Sequence, residues 1–311
     1  MQPTRYTNNI EVRSRRQSAG RRTRCALRAA GMANGPAISQ LLRLATMILL
    51  CCTTAGCRVG GLQTAAKRPT RHSVRSDQFV VLSDFKLSKD HELIRDLARL
   101  REQVSEKLDL PLQREEVVVY IFSDELGYKQ FLNTAYPGLP ERRAYFVGTP
   151  RELAVYSYWG ERIREDLQHE FTHGLLHASL KQVPLWLDEG LAEYFEVAGP
   201  KPGTINAEHS HQLAGIVANG WRPDLERLEQ LEEFSQMQRI DYQESWAWVH
   251  YMLHSTPEAR GVLLSYLRDL RNIAEPEPLS KRLGRDVPQF KTRFLNYVTS
   301  LHSTRQWVGQ H

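Results

Sequence analysis

Two neighbouring stretches carry ionisable side chains on what their apolar spacing makes buried helix faces, and few folds can satisfy both. In "ERIREDLQHEFTHGLLHASL", residues 161–180, Ile163, Leu167, Phe171 and Leu175 recur at four-residue intervals behind an acidic first turn. His169 and His173 then stand one turn apart and project from the same side. In "VPLWLDEGLAEYFEV", residues 183–197, Pro184 suits a helix start and Leu187, Leu191 and Phe195 form an apolar row. Glu189 and Glu193 share one face of this helix, again a turn apart. Burying two like-charged carboxylates together is costly unless something positive compensates. A divalent cation gripped by the two imidazoles would supply that compensation. The competing reading is a pair of satisfied core histidines beside a solvated acidic row that Glu196 joins.

The histidine spacing points to zinc. Catalytic zinc takes three protein ligands and keeps one position open. Glu170, about 100° around the helix from His169, reaches a water at the metal rather than the metal itself, and is placed to accept its proton. His177 is excluded as third ligand, because eight residues of helix put it roughly 12 Å from His169. The extended metzincin pattern fails as well, since Leu176 and Ser179 stand where it needs a glycine and a histidine. From the residues alone, the third ligand is Glu189 or Glu193.

Charge and cysteine placement narrow the function classes. The formal charge is +5, but nine arginines and the single acid Glu11 lie at or before Cys57, leaving 32 basic and 35 acidic residues, net −3, in the rest. The basic excess belongs to the leader, so nucleic acid is not an expected partner. All four cysteines, Cys25, Cys51, Cys52 and Cys57, also lie there. Disulfides, cysteine-ligated zinc and cysteine nucleophiles are thereby excluded from the folded part.

Residues 1–31 read as an Arg-rich unstructured extension, with Met32 as the expected start of translation. Residues 32–57 have a short polar start with Arg43, an apolar run from Leu44 through Cys52, and small residues ending in Cys57. That is a secretory-signal layout, and the run is too short to span a bilayer. Residues 58–77 read as a flexible tether.

Beyond the tether the pattern is α+β. Gln78–Leu87 and Glu115–Phe122 read as strands, and Leu93, Leu97, Leu100 and Val104 mark an amphipathic helix between them. A short helix over Glu125–Thr134 precedes two paired strands, "RAYFVG" and "ELAVYSY", joined by a turn at Gly148–Arg151. After Trp159-Gly160 the pattern is helical. The expected organisation is an N-terminal part, 78–200, holding a small sheet and the zinc site, followed by a helical part, 201–311.

"HEFTH" followed by "WLDEGLAEYFE" resembles the gluzincin metallopeptidases, in particular the bacterial peptidase-MA-like domains. The resemblance covers roughly residues 79–297, with its strong motifs between His169 and Phe195. It implies that Glu189 is the third zinc ligand and that Glu193 supports the first histidine from behind. Fifteen residues separate His173 from Glu189, fewer than in the larger gluzincins, so a swap of the two glutamate roles stays open. The resemblance also implies that "ELAVYSY", Glu152–Tyr158, is the sheet edge that pairs with an extended peptide. "DYQESWAWVHYML" is similar to the element whose tyrosine stabilises the oxyanion, which falls on Tyr242, with Ser245 in place of the usual glycine; His250 is a second candidate. The end of the leader is similar to a bacterial lipobox, departing at Thr54, which implies lipid attachment at Cys57. Together these imply an exported, membrane-anchored zinc peptidase acting on peptide or protein substrates. The alternatives are a non-catalytic binding or scaffolding lipoprotein of the same fold, and a zinc hydrolase with another substrate.

Overall fold

The apolar runs of the first half form a mixed five-stranded sheet, and helices follow from Ile163 onward. The computed structural model describes residues 67–76, 79–111, 115–196, 205–273 and 275–308, with side chains of the last helix described as far as Leu301. All of these belong to one compact unit. The extension 1–31, the signal-like segment with Cys57, and tether residues 58–66 lie outside the described residues. Among the described residues, no helix is long and apolar enough to cross a membrane.

In chain order the elements are β1 (His72–Ser76), β2 (Phe79–Ser83), α1 (Glu92–Leu108), β3 (Val117–Phe122), α2 (Glu125–Ala135), β4 (Ala144–Thr149) and β5 (Glu152–Tyr158). There follow α3 (Ile163–Ser179), α4 (Leu185–Glu196), α5 (Ala207–Ala218), α6 (Leu225–Leu228), α7 (Arg239–His254), α8 (Pro257–Leu270), α9 (Leu279–Asp286) and α10 (Phe290–Val308). The expected fold class, α+β with a small N-terminal sheet and a helical C-terminal part, is what the chain adopts.

The strand order is β1-β2-β3-β5-β4. β2, β3 and β5 run parallel, and β1 and β4 close the two edges antiparallel. Two expectations change. The stretch 58–77 is not wholly a tether, because His72–Ser76 forms edge strand β1 against β2. Its alternation of half-buried and exposed residues is what an outer strand with one covered face shows. The second change concerns "ELAVYSY", which is an inner strand; the edge is β4, Ala144–Thr149. β5 is apolar on both faces, Leu153 and Val155 on one and Ala154 and Tyr156 on the other, which suits an interior position. The tight turn before Glu152 folds β4 back outside it.

Strand alternation builds two cores. Val117, Val119, Ile121, Phe146, Leu153 and Val155 face the large core shared with α1, α3 and the later helices. Tyr120, Phe122, Tyr145 and Tyr156 face a smaller aromatic core closed by Tyr128, Phe131 and Leu132 of α2. α4 and α7, which lie on either side of the expected boundary at residue 200, pack directly against each other.

Two glycines set how closely the helices approach. A Cβ on Gly174 of α3 would stand 2.8 Å from Val117 Cγ1 on β3. One on Gly190 of α4 would stand 2.6 Å from the Ser245 carbonyl oxygen on α7. Neither position has room for a side chain without backbone or core movement. Gly174 follows His173 and Gly190 follows Glu189, so the glycines fix the depth at which those two side chains meet.

Candidate metal centre

α3 and α4 bring His169, His173 and Glu189 together. All three are buried, at 5%, 0% and 0% exposure. His169 Nε2 lies 3.6 Å from one Glu189 oxygen and His173 Nε2 3.7 Å from the other. These separations are too long for hydrogen bonds, which fall at about 2.7–3.2 Å. They match two ligands on one tetrahedral ion, which at metal distances of ~2.1 Å stand about 3.4 Å apart. Neither Nε2 makes a hydrogen bond, although both are sealed from solvent. Buried imidazole nitrogens seldom stay unsatisfied. A cation between them and the Glu189 carboxylate removes the anomaly, so the donor set fits a divalent metal.

The opposite ring nitrogens face carboxylates, His169 Nδ1 in a hydrogen bond and His173 Nδ1 in an ion pair. His169 Nδ1 is 2.9 Å from Glu196 Oε2, and His173 Nδ1 is 3.0 Å from Asp188 Oδ1. A carboxylate accepts only, so both rings carry hydrogen at Nδ1 and turn Nε2 toward Glu189. Asp188 also holds His177, whose Nε2 is 3.0 Å from Oδ2. The residues match in reverse order along the two helices: His177, His173 and His169 of α3 meet Asp188, Glu189 and Glu196 of α4.

This arrangement redistributes the expected roles. The carboxylate on His169 Nδ1 is that of Glu196, while Glu193 lies 2.9 Å from His209 Nε2 on α5. Helix geometry explains the difference. At about 100° per residue, Glu196 falls ~20° from Glu189 around α4, whereas Glu193 falls ~40° away on the other side. Glu193 stays close, since His169, Glu193 and Glu196 also present ligand atoms within 4.8 Å of one another.

The electrostatics show how strongly the pocket calls for positive charge. Burial opposes protonation of His173, yet Asp188 and Glu189 outweigh it and lift its pKa to about 10. Without a metal, a proton therefore occupies this imidazole at neutral pH. Burial would raise the Asp188 carboxyl, but His173 and His177 hold it well below the usual carboxylate range.

Glu170 is buried on α3 next to His169 and accepts a 2.7 Å hydrogen bond from the backbone N–H of Phe146 on β4. Burial pushes its carboxyl above the ordinary value, against the pull of His169 and His173. A raised carboxyl is better matched to taking protons near neutral pH. The bond also places Glu170 against the open side of the sheet, because the Phe146 N–H points away from β5.

Tyr242 is buried in the first turn of α7, the helix packed on α4. His250, one face further along α7, is committed elsewhere: its Nδ1 lies 2.7 Å from the Tyr297 hydroxyl of α10. Three residues of the setting were not singled out as site residues from sequence: Asp188, Glu196 and His209. Asp188 and Glu196 had a visible signal, as carboxylates on the helix that carries Glu189. His209 had none, being brought in from a separate helix.

Residues 165–279 match a family described as "Protein of unknown function (DUF1570)". The match runs from the first turn of α3 to the start of α9 and so contains α3, α4 and Tyr242. No curated protein matches the chain.

Proposed function

We propose that the chain is a zinc-dependent hydrolase that cleaves peptide bonds, with His169, His173 and Glu189 holding the metal. The observation that carries this reading is the pair of buried Nε2 atoms facing one carboxylate at 3.6 and 3.7 Å without hydrogen bonds. Zinc bound there would acidify a water toward neutrality and polarise a carbonyl. Glu170 is the base that accepts the proton, held by the Phe146 N–H, and it returns that proton to the leaving amine. Tyr242 donates its phenolic hydrogen to the charge that develops on the carbonyl oxygen. β4, the edge strand next to Glu170, offers backbone groups to an extended peptide. Glu196 and Asp188 orient the ligand imidazoles. Residues 32–57 supply the supporting sequence for export and for a lipid anchor at Cys57.

Metal content and turnover test the reading together. The purified protein should carry close to one zinc per chain. Glu170→Gln should keep that zinc and lose peptide hydrolysis by about 10²–10⁴-fold. A metal-free protein rejects the proposal, and a loaded protein with no hydrolytic activity favours a binding module.

A further inference from the structure

His177 is the third histidine of α3 and has no place on the metal, since it stands two turns from His169. It lies one turn beyond His173 and so shares that residue's side of the helix. One carboxylate from α4 meets both rings. Asp188 Oδ1 is 3.0 Å from His173 Nδ1, and Asp188 Oδ2 is 3.0 Å from His177 Nε2. A carboxylate only accepts, so His177 donates through its Nε2–H. The order from the rim inward is His177, Asp188 and His173, with the far nitrogen of His173 turned toward Glu189.

The two imidazoles differ in depth. The His173 side chain is fully enclosed, whereas that of His177 keeps 27% of its surface exposed. A substitution at His177 therefore removes a donor without opening the interior. The Phe146 ring of β4 neighbours both, 5.2 Å from the His177 ring and 6.3 Å from that of His173, centre to centre.

A carboxylate fixed at one oxygen still turns about its last side-chain bond, and the ligand imidazole it holds turns with it. A donor on the second oxygen fixes the plane. Metal affinity responds to such partners, because a ligand ring must be aimed before the ion arrives. The same donor helps to satisfy a carboxylate charge that is almost wholly buried.

We propose that His177 is a positioning residue of the metal centre: its Nε2–H fixes the Asp188 carboxylate, which in turn aims the His173 ring. The inference rests on the reading of His169, His173 and Glu189 as zinc ligands, and deepens it by adding a residue that acts on the ion only through another.

Zinc affinity of the full chain, measured by competition with a chelator, tests this together with the visible absorption of the cobalt-loaded protein, which reports ligand geometry. His177→Ala should weaken zinc by about tenfold, the low end for losing a partner of a ligand, and shift the cobalt spectrum. His177→Gln places an amide N–H where Nε2 stood and should restore both. Added to Asp188→Asn, His177→Ala should cost no further affinity, because the intermediary is already gone. His177→Asn, whose shorter side chain brings no N–H to that place, replaces His177→Ala if the latter fails to fold. Three results would each overturn the proposal while leaving the zinc site standing. They are unchanged affinity and spectrum in His177→Ala, equal losses in His177→Ala and His177→Gln, and a full further loss on top of Asp188→Asn. An unmutated protein that binds no zinc removes the site, and this role with it.

Discussion

Two pairs of histidines at helical i, i+4 spacing, His169 with His173 on α3 and His250 with His254 on α7, have opposite surroundings. On α3, His169 and His173 have ring centres 5.0 Å apart and face carboxylates at every ring nitrogen. On α7, His250 and His254 are stacked at 4.5 Å and meet phenols instead: Tyr297 at 2.7 Å and Tyr194 at 2.8 Å. Spacing alone therefore does not make a metal centre. A neutral phenol satisfies a neutral imidazole and stops there. A carboxylate on one nitrogen fixes the tautomer, and a second carboxylate opposite the other nitrogen creates a demand for a cation.

The largest effect should separate the pairs outright. His169→Ala or His173→Ala should abolish stoichiometric zinc, whereas His250→Ala should leave it at about one per chain, by elemental analysis. Equal zinc loss from both pairs would erase the distinction.

A smaller effect tests the polar interior of α7. Glu244, buried near the start of that helix, accepts from the Asp224 N–H at 2.6 Å and Trp248 Nε1 at 3.2 Å. Burial nevertheless raises its carboxyl to about 7 from 4.5. The folded state then holds a proton that the unfolded state releases, so stability should fall as pH rises from 4.5 to 7 and level off above. The whole shift is worth about 3 kcal/mol. Glu244→Gln should flatten this slope in denaturant titrations at pH 5 and 8, and an unchanged slope would rule out Glu244 as its source.

The carboxylates behind the ligands should rank next. Glu196→Gln should weaken zinc binding by about 10–100-fold. Glu193→Gln should weaken it less, because Glu193 engages His209 rather than a ligand. The opposite order in competition with a chelator would return the supporting role to Glu193.

The joint between the two regions gives the smallest change. Gly190→Ala forces a methyl group onto the Ser245 carbonyl between α4 and α7, and should destabilise by about 1–3 kcal/mol. Gly261→Ala, in open space on α8, should stabilise by ~0.5–1 kcal/mol, by thermal melting. Matching effects at the two positions would show that the helix contact is looser than the structure places it.

Much of the fold was legible in the chain. The four-residue rhythm of Ile163, Leu167, Phe171 and Leu175 marks α3, and the apolar row after Pro184 marks α4. The hairpin of β4 and β5 followed from two apolar runs around a Gly-Thr-Pro-Arg turn. β1 was hidden because "HSVRS" is short and polar, and an edge strand needs only one apolar face. The exchange of edge and inner strand was hidden for another reason: alternation reports which face a residue takes, not which neighbour a strand pairs with.

The same division runs through the site. Local sequence determines what depends on helix pitch, namely that His169 and His173 share a side and that Glu189 lies near Glu193 on α4. Tertiary packing decided the rest. The antiparallel match of α3 with α4 assigns Glu196 to His169 and Asp188 to His173, and the close contact at Gly190 sets the depth of Glu189. The sheet edge brings the Phe146 N–H to Glu170. Those pairings depend on the register between elements, which side-chain periodicity along one element does not encode.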